Sequence, residues 1–201
     1  MASQKTKGTA EPAVGRRLPR AERREQILAA ANRAFAQAGF AATSLDDVAQ
    51  EAGVTRVILY RHFDTKADLY RALLDRACIR LAEKVGTDDF GDRAIPSMLE
   101  AAAEDPDGFR LLFRFAARER EFRDLTDTLN AASAAVTRRN LAKQIPDGPW
   151  LDWAALLIPT VTTEAIIAWL DGGQPDPSEA ADRISAAIHG VIAAANTTSV
   201  H

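Results

Sequence analysis

The chain has 201 residues, 47% hydrophobic and 26% charged, which describes a soluble globular protein of one large or two small domains. A single cysteine, Cys78, excludes an internal disulfide and any cysteine-cluster zinc site. The net charge of −3 hides a division: residues 1–84 carry 15 Lys and Arg against 10 Asp and Glu, whereas residues 85–201 carry 10 against 18. An excess of +5 in the first part, against −8 in the second, points to a polyanion as partner of the first; a merely solvated basic surface is the alternative.

Residues 1–19 lack periodicity and read as a disordered arm. Its Lys5, Lys7, Arg16 and Arg17, with Arg20 at its edge, are placed either to lie along phosphates or only to solubilise. The arm has no apolar run of signal-peptide length, and the longest charge-free apolar stretch, residues 153–163, is about half of a membrane span. A cytoplasmic protein with no membrane association is expected.

From Arg20 onward the apolar spacing is helical. Ile27, Ala30, Ala31, Ala34, Phe35 and Ala38 recur at threes and fours, and Gly39 supplies a stop. Thr43 and Ser44 before Asp46 and Asp47 form capping boxes with Asp in place of Glu, opening a short helix to about Ala52. Thr55 caps a third helix running to Tyr60 or His62, and Thr65 with Asp68 opens a fourth towards Lys84. A break near residue 85 marks a domain boundary, giving domains 20–84 and 85–201 after the arm. Beyond it, helices are expected at about 93–104, 107–118, 121–144, 150–171 and 177–196. No run alternates with period two, so the chain reads as all-α.

The stretch from Leu45 to Phe63 carries the strongest signal. Val48, Ala52, Val54 and Leu59 are apolar where two short helices crossing steeply must touch, Ala49 is small, and Gly53 sits at the turn. This is the helix-turn-helix pattern, whose second helix presents its first residues to base edges in the major groove. On that geometry Thr55, Arg56, Val57 and Ile58 face the bases, with Arg56 the long donor suited to guanine. Tyr60, His62 and Lys66 follow at positions suited to phosphates. Thr43 and Ser44, at the start of the preceding helix, complete the candidate DNA-binding set.

The segment RREQILAAANRAFAQAGFAATSLDDVAQEAGVTRVILYRHFDTKADLYRALL resembles the N-terminal domain of TetR-family transcriptional regulators. The likeness lies in a first helix ending F-x-x-x-GF, then TSLDDVAQEAGV, then LYRHF and TKADL. One position departs from the commoner form: Val57 followed by Ile58 stands where many members carry a small residue, which makes the helix tip more apolar. The resemblance implies a three-helix DNA-binding domain followed by a helical bundle that binds a small effector and dimerises.

In the second part Phe109, Leu112, Phe113, Phe115, Phe122, Trp150, Trp153 and Trp169 either line a ligand cavity or form plain core. Pro159 falls inside a helical run, and the polar residues after it either point into a pocket or bond back to their own helix. The candidate effector pocket is Phe109, Phe113, Trp153, Thr160, Thr163 and Glu164. The helices at 150–171 and 177–196, the latter rich in Ala, offer a homodimer face. No His-x-x-x-His pair, Gly-rich phosphate loop or Gly-x-Ser-x-Gly elbow is present, so no catalytic residue, metal or cofactor is expected.

The function expected is a repressor released from a palindromic DNA operator by a small-molecule effector. A regulator of the same fold that answers to a protein partner is the alternative, and a helical enzyme or carrier is more distant.

Overall fold

The computed structural model describes residues 18–86, 91 and 93–197. Residues 1–17 of the expected basic arm and part of the break after Val85 lie outside them. Regular structure among the described residues is helical throughout, as expected: α1 (Arg20–Ala42), α2 (Leu45–Glu51), α3 (Arg56–Tyr60), α4 (Lys66–Val85), α5 (Ala94–Glu104), α6 (Pro106–Arg110), α7 (Arg123–Leu141), α8 (Pro149–Asp171) and α9 (Pro177–Ala195).

Local chemistry sets the early boundaries. Gly39 leaves the helical region at φ 79° and Gly53 turns the chain at φ 61°, a conformation that costs glycine little. Ser44 and Asp47 close a reciprocal capping box, with Asp47 N–H donating to Ser44 Oγ at 3.1 Å and Ser44 N–H to Asp47 Oδ2 at 2.8 Å. Thr65 and Asp68 repeat it at α4, at 3.0 and 3.1 Å.

The expected single helix at 107–118 is not formed. After α6 the chain widens into a π-helical turn, Leu111–Phe115, and tightens into two 3-10 turns, Ala116–Arg118 and Arg120–Phe122. The wide turn closes when Ala116 N–H reaches Leu111 O, which stacks these two fully buried residues on one face, against α1 and α4.

The first core therefore does not stop at α4. Phe122 is fully buried, its ring 5.1 Å from Phe40 and 4.6 Å from Tyr70, while Phe35 meets Tyr70 edge-on at 4.9 Å. Polar ties flank this aromatic joint. Arg71 donates to Asp124 Oδ2 at 3.1 Å and to Glu121 O at 3.0 Å, and Asn32 of α1 donates to Asp105 Oδ1 at 2.6 Å.

A second core joins α5, α6, α8 and α9 through Leu99, Phe109, Ile166, Ile167, Leu170 and Ile184. A third, around Leu141, Leu151, Ala154 and Ile158, seats α7 on α8. By length and composition α8 is apolar enough to cross a membrane, which the stretch 153–163 alone did not suggest, because only Asp152 and Glu164 interrupt residues 149–170. In the fold α8 packs between α7 and α9 with Leu151, Ala154, Ile166 and Ile167 fully buried.

Because Phe122 fills the joint between the two parts, Phe122→Ala is expected to cost about 3–5 kcal/mol. Urea denaturation checks this; an unmoved midpoint would show that the joint closes without the ring.

Candidate nucleic-acid interface

Five residues make a helix too short to hold itself, so α3 depends on its neighbours. Leu59 is fully buried and Phe63 nearly so, which locks one side of α3 onto α1, α2 and α4. The Thr55 hydroxyl caps the start by accepting from Ile58 N–H at 3.3 Å. Below the turn, Gln26 Nε2 donates to Ala52 O at 2.8 Å and pins α1 to α2.

That packing leaves the opposite side of α3 open. Val57 is 62% exposed and Tyr60 40% exposed, Thr55 and Arg56 are exposed, and Ile58 is half-buried. The Arg56 guanidinium lies 3.1 Å from Asp46 and 5.6 Å from the Tyr60 ring centroid. Exposed pairs of this kind are weak and exchange readily for a better acceptor.

Three of the candidate residues have local duties instead. Thr43 is buried, its hydroxyl donating to Gly39 O at 2.7 Å, so its side chain closes the end of α1 and does not face outward. Ser44 is exposed, but its hydroxyl is engaged in the α2 cap. The Lys66 ammonium folds back to Phe40 O at 2.8 Å and over the Phe40 ring at 4.5 Å, which satisfies carbonyls left free where Gly39 interrupts α1.

His62 is half-buried beside α3. Burial and then the nearby charges of Arg20, Arg24 and Arg23 hold its imidazole below the ordinary value of 6.5, so it is neutral at pH 7. Arg23 and Arg24 extend the candidate surface beyond the residues chosen from sequence, which already placed Arg20 at the edge of a basic arm. A signal for them existed: three arginines with Glu22 and Glu25 in the first two turns of α1, at the helix end whose dipole disfavours cations. Arg24 is braced over Phe63 at 5.0 Å and Arg23 donates to Gln26 at 2.8 Å. The result is a fixed basic shoulder next to the open side of α3, a form suited to a phosphate backbone.

The six residues expected at an effector pocket are divided. Phe109 is buried and Phe113 meets it at 4.7 Å, both within the second core's packing. Trp153, Thr160 and Glu164 are exposed on α8. Thr160 donates to Leu156 O at 3.1 Å and Thr163 to Pro159 O at 3.0 Å, so these hydroxyls bond back to their own helix. Phe109 alone of the six lines the cavity of about 340 Å³ between α4, α5 and α6. Cys78 is half-buried, and burial, then Asp75, pushes its thiol up to about 11, which keeps it protonated at neutral pH.

Residues 27–73 match the family described as bacterial regulatory proteins, tetR family. That stretch is a tetR-family domain. Its relatives include the HTH-type transcriptional activator FasR of Mycolicibacterium smegmatis, 37% identical over 107 residues, or 49% of this chain and 49% of that protein. The HTH-type transcriptional regulator TtgR of Pseudomonas putida is 56% identical over 54 residues, covering 27% of this chain and 26% of that protein. The matched stretches thus span about half or less of these relatives. A TetR-like transcriptional regulator from Rhodococcus sp. RHA1 shares the fold beyond the tetR-family domain, with a TM-score of 0.72 at 23% identity over 88% of this chain and 99% of that one.

Within this tetR-family domain, Lys66→Met keeps the stem over Phe40 but removes the ammonium from two carbonyls. A loss of about 1–2 kcal/mol in denaturation is expected. Unchanged stability would mean that the ammonium is free for other acceptors.

Proposed function

We propose that the chain is a homodimeric transcriptional regulator that binds a palindromic double-stranded DNA operator and leaves it when a small molecule binds the second domain. The observation that carries this reading is the open side of α3 beside the basic shoulder of Arg20, Arg23 and Arg24. The α3 start offers base-edge contacts through Thr55, Arg56 and Val57, while the shoulder supplies phosphate contacts. The names of the tetR-family relatives support transcription regulation as the setting. Whether output falls or rises on release depends on where the operator lies relative to the promoter, a property of the DNA; repression is the sequence expectation.

Dimerisation is inferred from a second exposed surface. Leu156 is 66% exposed on α8, with Trp150 and Trp153 stacked edge to face beside it, and α9 presents exposed Ala186, Gly190 and Ala193 at three- and four-residue spacing. Large apolar side chains next to a strip small enough for close helix approach suit a two-fold four-helix contact. Two copies then place two α3 helices on successive major grooves.

Release follows from the joint between the parts. A ligand that favours one seating of α4 and α6 over another shifts the spacing of the two α3 helices, and about 1.4 kcal/mol of preference is tenfold in affinity. The cavity lined by Phe109 touches both helices and is the site assigned to the effector here.

Sequencing of genomic fragments retained by the protein is expected to yield a few sites sharing one inverted repeat; uniform retention or none would overturn the reading. On such a site Arg56→Ala should cost about 1–3 kcal/mol and relax preference at one base per half-site. An equal loss on all duplexes would assign Arg56 to phosphates instead. Leu156→Asp is expected to give a monomer by light scattering that keeps its helicity but no longer prefers the paired half-sites; a dimer of unchanged mass would place the contact elsewhere.

A further inference from the structure

We propose that the cavity between α4, α5 and α6 takes an uncharged molecule with an apolar body and a carboxamide-like head, one that both donates and accepts hydrogen bonds. This deepens the effector reading and rests on it. At about 340 Å³ the space lies within the range of small-molecule sites, roughly 300–1,000 Å³. Leu81, Ala101, Phe109 and Leu112 make an apolar wall suited to the body.

The polar rim decides the head. Lys84 and Glu104 are 2.6 Å apart and satisfy each other. Asp105 Oδ1 already accepts from Asn32 Nδ2 at 2.6 Å and from Gly108 N–H at 2.9 Å. Among the described residues its Oδ2 meets Arg80 Nη1 at 3.7 Å and Arg80 Nη2 reaches Glu25 at 4.0 Å, both too long for hydrogen bonds. A donor-rich guanidinium and a carboxylate oxygen thus face each other across a gap that neither closes. A group that accepts from Arg80 and donates to Asp105 bridges it. An anionic head meets Asp105, Glu83 and Glu104, and a cationic one meets Arg80 and Lys84, so a neutral head fits the mixed rim.

The bridge would be felt outside the cavity, because the same carboxylate holds α1 through Asn32 and caps α6 through Gly108. A side chain at position 108 would displace this carboxylate, since a Cβ there would lie 2.6 Å from Asp105 Oδ2.

Three probes with one ring and different heads test the assignment: benzamide, benzoate and benzylammonium, each titrated into the full chain by nitrogen–proton NMR. Benzamide is expected to shift the Gly108 backbone and Asn32 side-chain amides saturably, with the charged probes about tenfold weaker, the worth of one hydrogen bond. Ala101→Leu, which fills the cavity, should abolish the shifts. Arg80→Met, which keeps the apolar stem, should weaken benzamide towards the level of the charged probes.

Absence of any benzamide shift, equal response to all three heads, or undiminished shifts in Ala101→Leu would each overturn the proposal. Duplex retention by the free protein tests the regulator reading without any probe, so the two fail separately.

Discussion

A helix of five residues has no stability of its own, and the first half of the chain is arranged around that constraint. Leu59 within α3 and Phe63 just after it anchor the helix, and Thr55 supplies its cap. The opposite side of α3 stays open. The helices beneath it must then be rigid, which explains the density of reciprocal caps at Ser44–Asp47 and Thr65–Asp68 and the Gln26 tie to Ala52. A short element on a stiff support keeps its exposed side chains in place, which binding by shape requires.

The same support is continuous with the second half. Leu111, Leu112, Ala116 and Phe122 enter the core of α1 and α4, and the Arg71–Asp124 and Asn32–Asp105 contacts lie on either side of that entry. The chain is irregular from the end of α6 because it serves two cores: Phe109 in α6 and Phe113 after it pack with α5 and α8, while Leu111 and Ala116 turn towards α1. A single α-helix of that length presents one stripe, and the π-helical turn gives the chain a second facing.

What was legible in the sequence obeyed local rules. Gly39, Gly53, the two Asp-type capping boxes and the apolar contact set Val48, Ala52 and Leu59 each declare themselves within a few residues, and all stand where the periodicity put them. The tetR-family domain was legible for the same reason, being a short ordered run of such signals. Hydroxyls that bond back to their own helix and side chains held by a distant partner were not fixed by the sequence pattern. Lys66 reads as a free cation at a helix start until the carbonyl of Phe40, 26 residues away, is beside it. Thr43 looks like an outward hydroxyl until Gly39 O accepts from it, and Thr160 and Thr163 were equally compatible with a pocket or with their own helix. Phe122 gave no hint that its ring belongs with Phe40 and Tyr70.

Phe122 also bears on how far this protein is modular. A cut at Gly86, where α4 ends and the charge balance changes sign, looks like the natural seam for exchanging one sensing half for another. A fragment ending there would carry an open aromatic socket formed by Phe35, Phe40 and Tyr70, with Leu73 and Leu74 behind it. Chimaeras of this chain therefore need their junction after residue 122, which keeps α5, α6 and the Phe122 ring with the first half. Heritable exchange of sensing halves is constrained in the same way: whatever sequence replaces the second half must bring its own plug for that socket.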